Sequence, residues 1–212
     1  MDLSINGRFF HFMSKVADCI ILSILWILFC APIVTAGAAT AALYYCAVKV
    51  LRDDQGDTVK RFWQSFKTNF KQSTLITVLV LIILLAASAV GTVLYAQNHS
   101  LTNIYLGYLV LLAFGVGWLH YVFSYIAKFE TSLGNILKNS LLICLANFPQ
   151  SAVMMLFFAA VVITVILLLP RSLGAILFIP AVYMWLVSFI LERIYQKYMA
   201  TTKGDPDNAR TE

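Results

Sequence analysis

The chain has 212 residues, of which 61% are apolar and only 12% are charged. A soluble domain averages about 25% charged residues, so this composition excludes a soluble globular protein and predicts that the lipid bilayer is its solvent. The net charge of +5 does not indicate nucleic-acid binding, because the basic residues flank apolar spans, where they set orientation. We therefore expect lipid, and no nucleic acid, as a partner.

The first apolar stretch runs from Cys19 to Val48 without a charge. It is too long for one straight membrane helix, which needs about 20 residues, and short for two. Pro32 cannot continue a helix, and Thr35 is suited to cap a new helix that starts at Ala36. The pattern predicts two helices, at 14–31 and 35–51, joined by a tight turn. One kinked span and a re-entrant loop remain as alternatives.

Four further stretches, at 73–96, 104–127, 151–169 and 173–191, are long and apolar enough to span. With six spans and both termini inside, only Arg171 of the fifteen Lys and Arg residues lies outside, as the preference of positive residues for the cytoplasm requires. We predict an all-α, polytopic transmembrane bundle of about six spans. It forms one integral domain over residues 1–201, and the polar tail at 202–212 is predicted to be disordered.

Two amphipathic segments lie on the predicted cytoplasmic side. In 58–70 aromatic residues recur every four positions and the lysines lie mostly elsewhere on the helical wheel, and in 131–146 an apolar stripe lies opposite polar residues. Each segment is either an interfacial helix in anionic headgroups or a docking helix for a cytoplasmic partner, and the two roles are compatible. The residues of these predicted docking or interfacial faces are Lys60, Phe62, Trp63, Phe66, Lys67, Phe70, Lys71, Leu133, Leu137 and Lys138.

A five-residue pattern occurs twice in the chain. Asn-Phe-Lys-Gln-Ser at 69–73 recurs as Asn-Phe-Pro-Gln-Ser at 147–151, and each copy follows an amphipathic segment and opens an apolar span. The pattern predicts a parallel repeat, of a kind that occurs in transporters. Each unit would contain a span entering the cytoplasm, an amphipathic segment and a span leaving it. Chance similarity in a composition-biased chain is the alternative.

Small residues follow the predicted turn. Gly and Ala at four-residue spacing let helix backbones approach closely in lipid, and two tyrosines further along can bond across helices or line a polar pocket. Packing is the expected role of this segment. The predicted helix-packing and turn motif consists of Pro32, Thr35, Gly37, Ala38, Ala41, Ala42, Tyr44 and Tyr45.

No catalytic motif is present: the chain has no HExxH, GxSxG, P-loop or metal-ligand spacing. We therefore expect no enzyme, cofactor or metal. His120 lies within a span, where an ionisable residue indicates function by default, so a proton relay is one hypothesis and a neutral histidine bonded to a nearby Ser or Tyr is the other. Lys128, Glu130, Glu192 and Arg193 end spans and are interpreted as interfacial anchors.

The stretch PIVTAGAATAALYY at 32–45, followed by RDD at 52–54 and FWQSFKTNFKQ at 62–72, resembles the YesL-like family of bacterial membrane proteins. This family has no known function. Its members often belong to carbohydrate-uptake gene sets of Gram-positive bacteria. The resemblance therefore implies an accessory or assembly subunit that contacts the permease or ATPase subunits of a carbohydrate ABC importer, and it provides no catalytic residues.

A small transporter or permease-like protein, acting alone or as a homo-oligomer, is the alternative function. Such a protein needs a polar pathway, whereas the polar residues in these spans are scattered and uncharged. A water-filled cavity near the middle of the membrane, around His120 or Tyr44, would favour the transporter.

Overall fold

A computed structural model describes residues 3–54, 56–97, 102–168 and 177–203, and every element in these ranges is helical. This confirms the all-α prediction. The elements are α1 (Leu3–Cys30), a 3-10 turn (Ile33–Thr35), α2 (Ala36–Cys46) with a π-helical continuation (Ala47–Arg52), α3 (Thr58–Gln97), α4 (Thr102–Lys128), α5 (Leu133–Ala146), α6 (Phe148–Leu168) and α7 (Ile179–Lys203).

Several helices have the length and composition of membrane spans, which agrees roughly with the predicted number of about six. The start of the predicted last span, at 173–176, lies outside the described residues, as does the tail from 204 onward. α7 continues to Lys203, so residues 202 and 203 are helical and do not belong to a disordered tail. Among the described residues, the segments long and apolar enough to cross a bilayer are Phe10–Cys30, Ile33–Arg52, Thr58–Gly91 and Phe148–Leu167.

The first apolar stretch is broken where Pro32 predicts, between the end of α1 and the start of α2. Thr35 occupies the position before α2, but its hydroxyl donates backward, to the carbonyl oxygens of Phe29 at 2.6 Å and Pro32 at 2.8 Å. A helix-capping residue normally has extended backbone, whereas Thr35 has φ −92° and ψ −2°. The predicted cap of α2 is therefore wrong, and Thr35 instead closes the end of α1.

The amphipathic segment at 58–70 and the span at 73–96 form one helix, α3, of 40 residues. This corrects the prediction of two separate elements. Lys71 and Gln72, which join them, are good helix formers, so nothing interrupts the backbone. At 1.5 Å per residue, α3 is about 60 Å long, or twice the hydrocarbon core of about 30 Å. The amphipathic segment is thus a rigid extension of a span.

The N-terminal part of α3 packs along α1 in the same direction. Near its start, the Thr58 hydroxyl bonds to the Asp18 carboxylate. Near the end of α1, the Phe29 ring centre lies 4.8 Å from that of Phe66 and 5.8 Å from that of Phe62. The last turn of α1 therefore lies level with the amphipathic part of α3.

The turn between α1 and α2 also lies level with the first turns of the predicted third span, because Gly37 packs against Thr77. A turn on the far face of a bilayer would be separated from cytoplasmic residues by about 30 Å of hydrocarbon. If Phe66 lies on the cytoplasmic side, its contact with Phe29 cannot cross that distance. Among the alternatives for residues 19–48, these contacts favour a re-entrant helical hairpin.

The two copies of the five-residue pattern occupy equivalent positions. The amide groups of Asn69 and Asn147 each donate to the carbonyl oxygen four residues earlier, at 3.0 Å and 2.8 Å. Ser73 and Ser151, which end the two copies, are both buried. The two copies thus share the asparagine bond at the point where an amphipathic segment meets an apolar helix, whereas Ser151 also bonds to the carbonyl oxygen of Cys144 and Ser73 Oγ has no hydrogen-bond partner among the described residues.

One substitution explains why the two copies differ in helix continuity. Pro149 stands where the first copy has Lys71, and proline is tolerated in the first turn of a helix but not in its interior. The second amphipathic segment, α5, therefore ends at Ala146, and α6 starts afresh at Phe148, whereas α3 continues.

Candidate functional site

The small residues of α2 form its contact with neighbouring helices. Ala38, Ala41 and Ala42 have no exposed surface. A side chain at Gly37 would meet the Phe123 ring of α4 at 2.5 Å and Thr77 of α3 closer still. These residues therefore set the distances between α2, α3 and α4. Of the remaining motif residues, Pro32 is exposed and Tyr45 lies half-buried at the edge of the core.

Tyr44 lies in a buried polar site between three helices. Its hydroxyl donates to Oε1 of Glu192 at 2.8 Å, and Lys128 Nζ lies 2.5 Å from Oε2 of the same carboxylate. Lys128 Nζ also lies 5.3 Å from the ring centre of Tyr195. Glu192 is 8% exposed, so this single carboxylate joins α2, α4 and α7 in the interior.

The interpretation of Lys128 and Glu192 as separate interfacial anchors is therefore wrong. Lys128 ends α4, whereas Glu192 lies inside α7, and the two side chains form a largely buried ion pair. Glu130 and Arg193, interpreted in the same way, are exposed, as anchors should be.

Hydroxyl groups continue the polar site along α4. Ser124 donates to the carbonyl oxygen of His120 at 2.7 Å, so the Tyr195 hydroxyl, 2.6 Å away, donates to Ser124. Ser151 donates to backbone carbonyls and lies 3.0 Å from the Tyr121 hydroxyl, which donates to it. Burial raises the pKa of Tyr195, which keeps it a donor. Each of these hydroxyl hydrogens has an acceptor within the protein, so the network is closed.

His120 makes two hydrogen bonds that define the tautomer of its neutral form. Its Nδ1 lies 2.8 Å from the carbonyl oxygen of Val116, which can only accept, so Nδ1 carries the proton. Its Nε2 then accepts from the Tyr183 hydroxyl at 2.6 Å. Of the two hypotheses for His120, this arrangement fits a neutral histidine bonded to a nearby Ser or Tyr better than a proton relay.

A cavity of about 480 Å³ lies beside His120. A water-filled cavity here would favour the transporter alternative, but aliphatic and aromatic side chains form most of these walls. A sugar needs several hydrogen-bonding groups, which a binding pocket supplies at defined positions, so the cavity is unsuited to carbohydrate. Its lining residues include Trp26, Ile27, Thr40, Leu119, Phe123, Phe158, Val161, Val162, Val165, Ile166, Tyr183 and Met184.

The aromatic face predicted to dock a partner is mostly internal. Phe62 and Phe66 are 0% and 6% exposed, because residues four apart lie on the same face of a helix and this face contacts Phe29 on α1. Trp63, Phe70, the two lysines of the segment and Lys71 just after it remain exposed. Lys67 Nζ lies 4.9 Å from the Trp63 ring centre. We call the exposed set, consisting of Lys60, Trp63, Lys67, Phe70 and Lys71, the outer face of α3.

The second amphipathic segment, α5, packs on α4. Leu133 and Leu137 are half-buried against the core cluster that contains Ile136, while Lys138 points outward. The Asn139 amide donates to the Tyr125 hydroxyl at 3.1 Å. The apolar stripe of α5 therefore faces protein.

The loop between α2 and α3 is fastened to α1. Lys15 Nζ donates to the carbonyl oxygen of Leu51 at 2.8 Å and lies 2.7 Å from a carboxylate oxygen of Asp54. The hydrogen bond from Lys15 holds the pKa of Asp54 below its usual value. This ion pair closes the base of the α1–α2 hairpin beside the start of α3.

A family model described as "Protein of unknown function, DUF624" matches residues 19–89. The matched segment contains most of the α1–α2 hairpin, Tyr44 and the outer face of α3, and it confirms the resemblance to the YesL-like family. No curated protein and no solved structure matches the chain. Within the described ranges, no group of three or more His, Cys, Asp or Glu residues is arranged to hold a metal ion.

Proposed function

We propose that this membrane protein, similar to the DUF624 family over residues 19–89, is a non-enzymatic accessory or assembly subunit of a carbohydrate ABC importer. It would lie in a bacterial plasma membrane with both termini in the cytoplasm. The importer class comes from the family resemblance. The observation that carries the accessory role is the outer face of α3, an exposed basic and aromatic surface. The opposite side of this helix is buried in the core through Phe62 and Phe66.

Two features suit the outer face of α3 to docking. Phe62 and Phe66 anchor the opposite side of the helix in the core, so the exposed residues are presented without the entropy cost of ordering a flexible segment. Interfaces favour aromatic residues at their centre, and Trp63 and Phe70, 43% and 38% exposed, stand among three lysines. A partner with an acidic rim and an apolar centre would complement this surface.

The buried polar site supports a scaffold better than an enzyme. The groups of Tyr44, Lys128 and Glu192 bond to one another, and the hydroxyl network beside them is closed. A catalytic acid or base must reach a substrate proton, whereas these groups are occupied in joining α2, α4 and α7.

The alternative, a small transporter acting alone or as a homo-oligomer, would use the cavity beside His120 as its site. The apolar walls of this cavity argue against carbohydrate as the cargo. Transport of a labelled sugar into liposomes that contain only this protein would establish the alternative.

We expect charge reversal on the outer face of α3 to break the association. A variant with Lys60→Glu, Lys67→Glu and Lys71→Glu should still insert but recover at least tenfold less importer permease in a mild-detergent pull-down from the native host. Exposed ion pairs each contribute roughly 0.2–1 kcal/mol, and charge reversal replaces each attraction with a repulsion of similar size. Three reversals together therefore correspond to about a tenfold change or more. Mass spectrometry of the co-eluting proteins measures the loss.

Lys197→Glu, a single reversal at another exposed lysine, serves as a control and should leave recovery unchanged. Lys138→Glu tests α5 in the same way. If permeases are recovered in full with the triple variant, the docking role of α3 is wrong. If the unmodified chain is recovered alone, the accessory role itself is wrong.

A further inference from the structure

We infer that the cavity beside His120 binds a membrane-derived apolar molecule that carries a hydroxyl group, of the class of long-chain alcohols. This inference is independent of the proposed function. It depends on the size of the cavity, on the hydrogen bonds of its few polar atoms and on the position of its opening.

The size and walls of the cavity fit an apolar small molecule. Its volume of about 480 Å³ falls within the range of about 300–1,000 Å³ that small-molecule pockets occupy. Leu119, Phe158, Val161 and Val165 contribute walls without polar atoms. Apolar cavities of this kind stay dry and take up apolar molecules.

The polar atoms at the cavity wall can accept hydrogen bonds but have no hydrogen left to donate. Trp26 Nε1 donates to Thr40 Oγ1 at 3.2 Å, and Thr40 in turn donates to the carbonyl oxygen of Ala36 at 2.8 Å. The Tyr183 hydroxyl donates to His120 Nε2 at 2.6 Å. Because a phenolic oxygen can also accept, Tyr183 offers an acceptor, and a ligand that brings a donor such as a hydroxyl gains one hydrogen bond there.

The cavity opens on the outer surface of the helix bundle, between α1 and α6. Ile27 of α1 is 39% exposed, and Val162 and Ile166 of α6 are 39% and 65% exposed, although all three line the cavity. These apolar rim residues lie on helices that are long and apolar enough to cross a bilayer. A ligand would therefore enter from the lipid.

Quenching of Trp26 fluorescence tests the inference directly. In detergent-purified protein with Trp63→Phe, Trp118→Phe and Trp185→Phe, Trp26 is the remaining tryptophan. The probes are bromoundecanol, with bromine at the chain end remote from its hydroxyl, and bromoundecane, which lacks the hydroxyl. We expect saturable quenching by both, with half-saturation at an about 3- to 10-fold lower concentration for the alcohol, as one hydrogen bond contributes.

Two further variants separate the hydroxyl contact from the cavity. Tyr183→Phe keeps the shape of the wall and removes the acceptor, so it should abolish the preference for the alcohol. Val165→Phe fills the cavity and should remove saturable quenching, whereas Val153→Phe, at an exposed position of the same helix, should not. Non-saturable quenching that is equal in both valine variants would overturn the site, and an unchanged preference in Tyr183→Phe would overturn the assigned ligand class.

Discussion

Gly37→Ala is expected to destabilise the protein by about 1–3 kcal/mol, the usual cost of overpacking a core. The added methyl group would lie 2.5 Å from Cε1 of Phe123 and closer still to Thr77 Oγ1. Both neighbours belong to other helices, so relief requires α2 to move away from α3 or α4. Thermal unfolding in detergent, followed by circular dichroism, measures the loss.

A second glycine provides the control for this substitution. Gly91 lies within α3, and a side chain there would meet nothing within 4 Å, so Gly91→Ala should be neutral or stabilising by up to about 1 kcal/mol. Adding Thr77→Ala to Gly37→Ala removes the nearest obstacle and should recover part of the stability. Equal melting temperatures for Gly37→Ala and Gly91→Ala would show that α2 is not packed this closely.

Glu192→Gln is expected to cost about 3 kcal/mol, because removing one partner of a buried ion pair leaves the other charge without compensation. Lys128 Nζ lies 2.5 Å from the Glu192 carboxylate, and their side chains are 20% and 10% exposed. The Lys128 side chain is partly exposed, which places the expected cost at the lower end of the usual range for buried pairs. Thermal unfolding in detergent again provides the measurement.

A double-mutant cycle identifies the pair as the cause. Combining Glu192→Gln with Lys128→Met removes both charges, so the double variant should be more stable than the sum of the two single losses predicts. Tyr44→Phe removes one hydrogen bond to the carboxylate and should cost about 1–2 kcal/mol. Strictly additive losses at Lys128 and Glu192 would contradict a direct interaction.

The sequence predicts the helices and their breaks well, because these depend on local chemistry. Pro32 ends the first apolar helix and Pro149 separates α5 from α6, since proline cannot lie inside a helix. The close approach of neighbouring helices at Gly37 could likewise be predicted from the small residues that follow it in the sequence. The continuity of α3 could also have been inferred, because the segment between Phe70 and Ser73 contains no residue that breaks a helix.

Contacts between distant segments were harder to predict. The aromatic period of Phe62 and Phe66 indicates an apolar face, but the pattern cannot tell whether lipid, a partner or α1 covers it. Lys128 and Glu192 gave a usable signal, since the predicted topology places these opposite charges at the same end of two spans. The cavity had no sequence signal, because it arises where five helices fail to fill the space between them.

The amphipathic part of α3 lies along α1, and this contact fixes the direction in which the outer face of α3 points. Disulfide cross-linking in native membranes tests this claim most directly. In a variant without its native cysteines, Phe29→Cys is paired either with Phe66→Cys or with Val90→Cys, which lies 24 residues and about 36 Å further along α3. A protease site in the turn at 53–57 reports the cross-link, because linked halves stay together after cleavage.

We expect mild oxidation to link residue 29 to residue 66 and to form no cross-link between residue 29 and residue 90. The ring centres of Phe29 and Phe66 are 4.8 Å apart, so the two positions face each other across the contact between α1 and α3. Cross-linking to residue 90 and not to residue 66 would show that α1 reaches the far end of α3, and would contradict both the re-entrant hairpin and the support of the outer face by α1.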